Sequence, residues 1–216
     1  MYAVERLEIL GYGSRAVPNT FFEQETEAKQ LAIVYPGYAY SCDGPLLWYP
    51  TRILLSLGAD VLWVEYPYDT LPEWESSEDR MEWLFEDSAA ALRSAVKRRT
   101  YGRITLIGKS LGTIAMGKIL ASGAAADVRG VWMTPVLTNP DLRQVLKEAR
   151  NPSLVIIGSA DHYYDAPLLE QLRKKVSNKV LVLQGADHIL ESKEGTISSI
   201  DILKSVMESV QRFVEE

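Results

Sequence analysis

Apolar positions along the chain follow two alternating rhythms. Short, almost unbroken runs of Val, Ile, Leu and aromatic residues at 31–35, 61–66, 104–107, 131–134, 154–157 and 180–183 read as strands buried on both faces. Between them, apolar residues recur at three- and four-residue steps, the spacing of a one-sided helix. One such segment begins at a candidate cap, Ser76 or Ser77, and carries Met81, Leu84, Phe85, Ser88, Leu92 and Val96 on a common face. Another closes the chain with Ile200, Leu203, Val206, Met207, Val210 and Phe213. Further helices are predicted up to about Gly58 and over 111–121, 140–149 and 166–176. Two β-type segments, 4–10 and 17–23, precede the first buried run and flank the turn-prone stretch 11–14, which predicts an antiparallel edge.

This alternation predicts an α/β protein: a three-layer α/β/α sandwich around a mostly parallel sheet of about eight strands. No repeat or Pro/Gly/Ser linker divides the 216 residues, so residues 1–216 are expected to form a single domain. In open parallel sheets, functional groups collect in the loops beyond the carboxyl ends of the strands.

Composition narrows the functional classes. A formal net charge of −6 opposes binding along a phosphate backbone, so no nucleic-acid partner is expected. Cys42 is the only cysteine, which excludes an intramolecular disulfide, a cysteine zinc cage and a CxxC pair, and leans towards a reducing compartment. Glu5 and Arg6 interrupt the region where a secretory signal would be apolar, and no run approaches the ~20 residues of a membrane span. A cytoplasmic protein with no membrane partner is the expectation.

Gly108-Lys109-Ser110-Leu111-Gly112 fits G-x-S-x-G between a predicted strand and a predicted helix. In random order, roughly one chain in fourteen of this composition would carry the pattern, so the strand before it and the helix after it decide its weight. A sharp strand-to-helix turn leaves no room for side chains at Gly108 and Gly112 and pushes Ser110 outward as a nucleophile. At a helix N-terminus, the Leu111 N–H becomes a donor for developing negative charge. Two other readings exist: Ser110 as a simple helix cap, and GKS as the end of a phosphate loop. The second requires glycine where Arg103 stands, and so fails.

A serine nucleophile needs a base, and only His162 and His188 exist. Asp161-His162 and Asp187-His188 each follow a predicted strand. The chain order Ser, Asp, His selects Asp161 as the acid and His188 as the base, with Asp187 the rival acid and His162 a loop residue. Each could instead serve only its own turn.

The elbow GKSLG, the acid in GSADHYYD and the histidine in GADH, on this strand–helix order, resemble the α/β-hydrolase superfamily over nearly the whole chain. The resemblance implies an α/β-hydrolase fold and an oxyanion loop after the third strand, at Tyr35-Pro36-Gly37-Tyr38, with Tyr38 N–H as second donor. Many relatives have His-Gly where this chain has Pro36-Gly37. Lys109 and the segment WMTPVL look like those of small, esterase-type members. Lids in the superfamily commonly enter after the sixth strand; here only Pro135 to Asn139 are available, so no lid domain is expected.

The expected activity is hydrolysis of an ester or related acyl bond in a small-molecule substrate, through an acyl-enzyme on Ser110 and without a cofactor or metal. The base must be neutral, so the rate should rise with pH as it loses its proton. Tyr40, Tyr68 and Tyr163 are candidate pocket walls, whereas Trp48 and Trp74 read as packing. Cys42 lacks the context of a nucleophile. The alternative is a non-catalytic binding or interaction protein on the same fold.

Overall fold

The computed structural model describes residues 1–123, 128–148 and 150–216. Among these, eight strands form one sheet in the order β1-β2-β4-β3-β5-β6-β7-β8. They are β1 (Tyr2–Glu5), β2 (Asn19–Gln24), β3 (Gln30–Tyr35), β4 (Asp60–Val64), β5 (Arg103–Lys109), β6 (Val128–Met133), β7 (Ser153–Gly158) and β8 (Asn178–Leu183). From β4 through β8 every neighbouring pair is parallel, while β2 pairs antiparallel with both β1 and β4. The first strand is shorter than the 4–10 pattern suggests, and Leu10 makes only an isolated bridge to Ala16.

The helices are α1 (Pro45–Ser56), α2 (Pro72–Ser76), α3 (Arg80–Val96), α4 (Leu111–Ala121), α5 (Pro140–Glu148), α6 (Ala166–Arg173) and α7 (Thr196–Glu215). Neither Ser76 nor Ser77 caps the long helix. Pro72 starts a short helix that ends on Ser76, Ser77 Oγ accepts from Asp79 N–H, and α3 begins at Arg80. The expected end of α5 at Ala149 lies outside the described residues. No helix among those described is long and apolar enough to cross a membrane.

Alternation within the strands builds the two apolar layers. Leu31, Ile33 and Tyr35 of β3 join Leu106, Trp132, Val155 and Ile157 against Ala91 of α3, Met116 and Ile119 of α4, Leu142 of α5 and Leu168 of α6. Ala32 and Val34 point the other way, with Ile107, Val131 and Ile156, against Leu47 and Leu54 of α1 and Val206, Val210 and Phe213 of α7. Successive Cβ atoms leaving opposite faces of a strand make this division unavoidable. Each fully buried Leu, Ile or Val contributes about 1.5–3 kcal/mol, which holds the sheet rigid beneath its loops. Between β6 and α5 the chain runs only over residues 134–139.

Candidate active site

The elbow turns from β5 into α4 without a spacer. Ser110 stands at the N-cap with φ 49° and ψ −112°, a conformation that non-glycine residues rarely adopt. The surroundings hold it there: Ser110 N–H donates to the Met133 carbonyl at 3.0 Å, and Thr113 N–H donates to the Ser110 carbonyl at 2.9 Å. A β-carbon at Gly108 would lie 2.4 Å from Met116 Sδ, and one at Gly112 would lie 2.1 Å from the Tyr35 carbonyl oxygen. The turn therefore admits a side chain at neither position.

The loops after β7 and β8 are stapled to one another. Ser159 N–H donates to the Leu183 carbonyl and Ala160 N–H to the Ala186 carbonyl, both at 2.9 Å. Gly185 N–H donates to Ser159 Oγ at 2.9 Å. A β-carbon at Gly158 would sit 2.0 Å from the Ala186 oxygen, so this approach needs glycine.

The stapling carries Asp161 and His188 together in front of Ser110. His188 Nδ1 is 2.9 Å from Asp161 Oδ2, and His188 Nε2 is 3.0 Å from Ser110 Oγ. The Asp161 carboxylate is buried, and its other oxygen, Oδ1, accepts from Tyr163 N–H at 2.9 Å. An ionised carboxylate only accepts, which assigns the ring hydrogen to Nδ1 and leaves Nε2 as acceptor for the Ser110 hydroxyl.

The remaining halves of the two Asp-His pairs go elsewhere. Asp187 Oδ1 accepts from Ile189 N–H at 2.9 Å and from Glu191 N–H at 3.0 Å, so this carboxylate closes its own turn. His162 lies on the outer side of Asp161, with Nδ1 3.6 Å from Oδ1.

The loop after β3 presses on the elbow from the opposite side. A β-carbon at Gly37 would fall 3.4 Å from Ser110 Cβ, and Gly37 and Tyr40 form an antiparallel bridge around Ala39, whose φ is 51°. Leu111 is the first residue of α4, so its N–H lacks an intrahelical acceptor. The Tyr38 side chain turns outward onto α2, where its hydroxyl donates to Glu75 at 2.9 Å and its ring stacks on Trp74. Among the described residues, non-glycine positions with positive φ are Ser14, Ala39, Ser110, Thr134 and Leu190. The last four stand in the loops after β3, β5, β6 and β8. Backbone strain is thus concentrated around Ser110, as it commonly is at functional sites.

The three tyrosines expected as pocket walls have different fates. Tyr40 is half-buried and separates two depressions. One is an apolar groove of about 250 Å³ beside the His188 loop, lined by Leu46, Ile189, Leu190 and Leu203; the other is a polar cleft of about 380 Å³ lined by Gly37, Asp43, Glu65 and Asp69. Tyr163 is half-buried with its ring edge-on to His188 at 5.2 Å. Tyr68 requires a correction. It is 1% exposed, its ring is stacked between Tyr66 and Trp74, and its hydroxyl donates to Asp87 at 2.7 Å. Trp74 and Trp83 cover it and keep it from the open site. Trp48 stands on α1, edge-on to Trp63 and part-exposed, while Trp74 is buried. Cys42 is buried, its Sγ donates to the Val64 carbonyl, and burial pushes its thiol well above the ordinary range, all of which opposes nucleophilic use.

Sequence reasoning gave Lys109 no role, yet it is 2% exposed with its ammonium 4.5 Å over the Tyr40 ring. Burial pulls its pKa down to about 8, against the opposing charges of Asp161 and Asp187. A lysine separated only by Gly108 from the apolar run Leu106-Ile107, inside the elbow itself, was the available signal. Asp87 was also missed: burial raises its pKa, while bonds from Tyr68 and the Tyr12 N–H act the other way.

No protein-family model matches the chain, and no curated protein matches its sequence. Solved structures do match its shape. An esterase of Pyrococcus furiosus superposes with a TM-score of 0.74 at 14% identity, covering 99% of this chain and 91% of the other. Est1E of Butyrivibrio proteoclasticus gives 0.70 at 12% identity, over 100% and 99% of the two chains. A Xanthomonas campestris member of the α/β serine hydrolases, described as having no lid, gives 0.67 at 18% identity, over 98% and 94%. The chain has the α/β-hydrolase fold, and no lid domain is found among the described residues.

Proposed function

We propose that this protein is a serine hydrolase that cleaves an ester or closely related acyl bond in a small molecule. The observation that carries the reading is the unbroken path from Ser110 Oγ through His188 to Asp161, with steps of 3.0 and 2.9 Å, mounted on a strained elbow. As His188 Nε2 takes the Ser110 proton, Oγ attacks the acyl carbon, and the carbonyl oxygen gains negative charge facing the N–H groups of Leu111 and Tyr38. The protonated imidazole then gives its proton to the departing alcohol. Water, deprotonated by His188, releases the acid and restores Ser110. Asp161 holds the Nδ1–H tautomer throughout and stabilises the imidazolium. The groove between Tyr40 and Leu203 supplies apolar surface for the substrate's hydrocarbon part.

A fluorophosphonate probe tests this reading. It should label the native chain at Ser110, and Ser110→Ala should abolish both labelling and turnover of short-chain activated esters. Labelling that persists at full rate in the variant would remove Ser110 as the nucleophile. A native chain that resists the probe would favour a binding protein on the same fold.

A further inference from the structure

The proposed reaction uses one of the two histidines that lie against Asp161 and leaves the other idle. His162 Nδ1 is 3.6 Å from Asp161 Oδ1, His188 Nδ1 is 2.9 Å from Oδ2, and the two imidazole rings are 4.8 Å apart. One ligand atom from each of the three residues lies within 4.8 Å of the others. We infer that Asp161, His162 and His188 form a binding site for a divalent transition-metal ion of the zinc class, and that occupancy of this site switches hydrolysis off. The inhibitory half rests on the proposed hydrolase reading; the binding half does not.

The donor set selects the ion. Two imidazoles and one carboxylate suit Zn²⁺ or Co²⁺, whereas Mg²⁺ and Ca²⁺ favour oxygen ligands. Tetrahedral Zn²⁺ with bonds of about 2.0–2.1 Å places its donors roughly 3.4 Å apart. The two carboxylate–imidazole separations lie on either side of that value, on different oxygens of Asp161, and the donor atoms lie within 4.8 Å of one another, so the ion has to draw the set together. Asp161 is fully buried and anchored by the Tyr163 N–H, so it is a fixed ligand. The His162 side chain is 63% exposed, with its ring 4.0 Å from that of Tyr163, and this exposure leaves the ion a route from solvent. With three protein ligands, the fourth position stays open to water. The Lys109 ammonium and the Asp161–His188 hydrogen bond both oppose binding and weaken the site.

Inhibition follows from the protons. A metal binds only a bare ring nitrogen, and Nδ1 of His188 carries a hydrogen towards Asp161. When the ion takes Nδ1, the Nδ1–H bond breaks and an Nε2–H bond forms, the proton passing through water with no net change. Nε2–H then faces Ser110 Oγ as a donor. The serine keeps its own proton and loses its base, so kcat falls while KM changes little.

Chelator-treated protein should be titrated with Zn²⁺ during hydrolysis of a short-chain activated ester, and separately with Co²⁺ by visible absorption and calorimetry. Micromolar Zn²⁺ should abolish turnover reversibly to chelator, while Mg²⁺ leaves it unchanged. His162→Ala should keep the zinc-free rate within about twofold and weaken both zinc inhibition and Co²⁺ binding at least about tenfold. Ser110→Ala should retain the tetrahedral Co²⁺ bands, so the site is measurable even if the chain hydrolyses no ester. Absent Co²⁺ bands, equal inhibition by Mg²⁺, or unweakened binding in His162→Ala would each overturn the inference.

Discussion

The chain contains the same dipeptide twice at equivalent places. Asp161-His162 follows β7 and Asp187-His188 follows β8, adjacent parallel strands whose loops are tied by backbone hydrogen bonds. The two pairs nevertheless divide their labour in opposite ways. From the first, the aspartate is buried and hydrogen-bonded to the ring of the second pair; from the second, the histidine reaches inward to Ser110. Asp187 is spent on its own turn, and His162 stays at the surface. Within the first pair His162 Nδ1 stays 3.6 Å from Asp161 Oδ1, and the ring that Asp161 holds at hydrogen-bond distance comes from the other pair. The two strand ends are drawn together so tightly that a β-carbon at Gly158 would fall 2.0 Å from the Ala186 oxygen.

The sharpest way to break this contrast is to remove one carboxylate charge at a time. Asp161→Asn should lower kcat by up to about 10⁴-fold, because the amide can donate to Nδ1, favour the wrong tautomer and leave the imidazolium unsupported. Steady-state kinetics on folded variants decide it; a larger loss in Asp187→Asn would reverse the assignment. Gly158→Ala attacks the stapling instead. The added methyl meets a backbone oxygen, which must move, and displacement of the base by about 1 Å costs on the order of 10²-fold in rate. Its thermal midpoint should fall as well. Full activity and unchanged stability would mean that the two loops are not held as described.

Lys109 feels both acids and responds to them unequally, with Asp161 the stronger influence. Its folded-state pKa of about 8 lies below the ordinary 10.5, so between those values the unfolded chain binds a proton that the folded chain does not. Stability from this group therefore rises as pH increases through that window and is lowest where the buried ammonium is charged in both states. Lys109→Met retains the apolar stem over Tyr40 and should flatten the rise. Urea midpoints measured across the window provide the check, and parallel curves for the two proteins would exclude a buried, strained charge.

Much of the architecture was legible because it depends on local pattern. The buried runs marked β3 to β8, and GKSLG encoded strand, strained turn and helix in five residues. Chain order separated Asp161 from Asp187, and the two hydrogen bonds of His188 follow that separation. What escaped depends on side-chain direction in loops, which only tertiary packing sets. Tyr68 looked like a pocket wall since it lies beyond a strand end, but Trp74 and the Asp87 carboxylate draw it inward. The start of α3 was misplaced for a local reason: a serine before an apolar helix resembles a cap, and Pro72 nucleates a separate turn first. Lys109 and Asp87 escaped because Lys109 fills the unspecified second place of GKSLG and Asp87 is one of three acids on α3.

The smallest expected effect tests the contrast from its quieter side. Asp187 accepts two backbone N–H groups through Oδ1, and asparagine retains an oxygen at that place. Asp187→Asn should therefore keep kcat within about threefold and the thermal midpoint nearly unchanged, since the turn survives and only a part-exposed charge is lost. Asp187→Ala removes the acceptor itself and should cost about 1 kcal/mol of stability, the usual net worth of such bonds in a turn near solvent. His188 hangs directly from this turn, so the alanine variant should also lose some rate, with kcat affected more than KM. The ordering is the test: alanine worse than asparagine identifies Asp187 as a turn former. If asparagine were as damaging as alanine, the negative charge would matter more than the acceptor, and Asp187 would share with Asp161 the electrostatic support of the imidazolium.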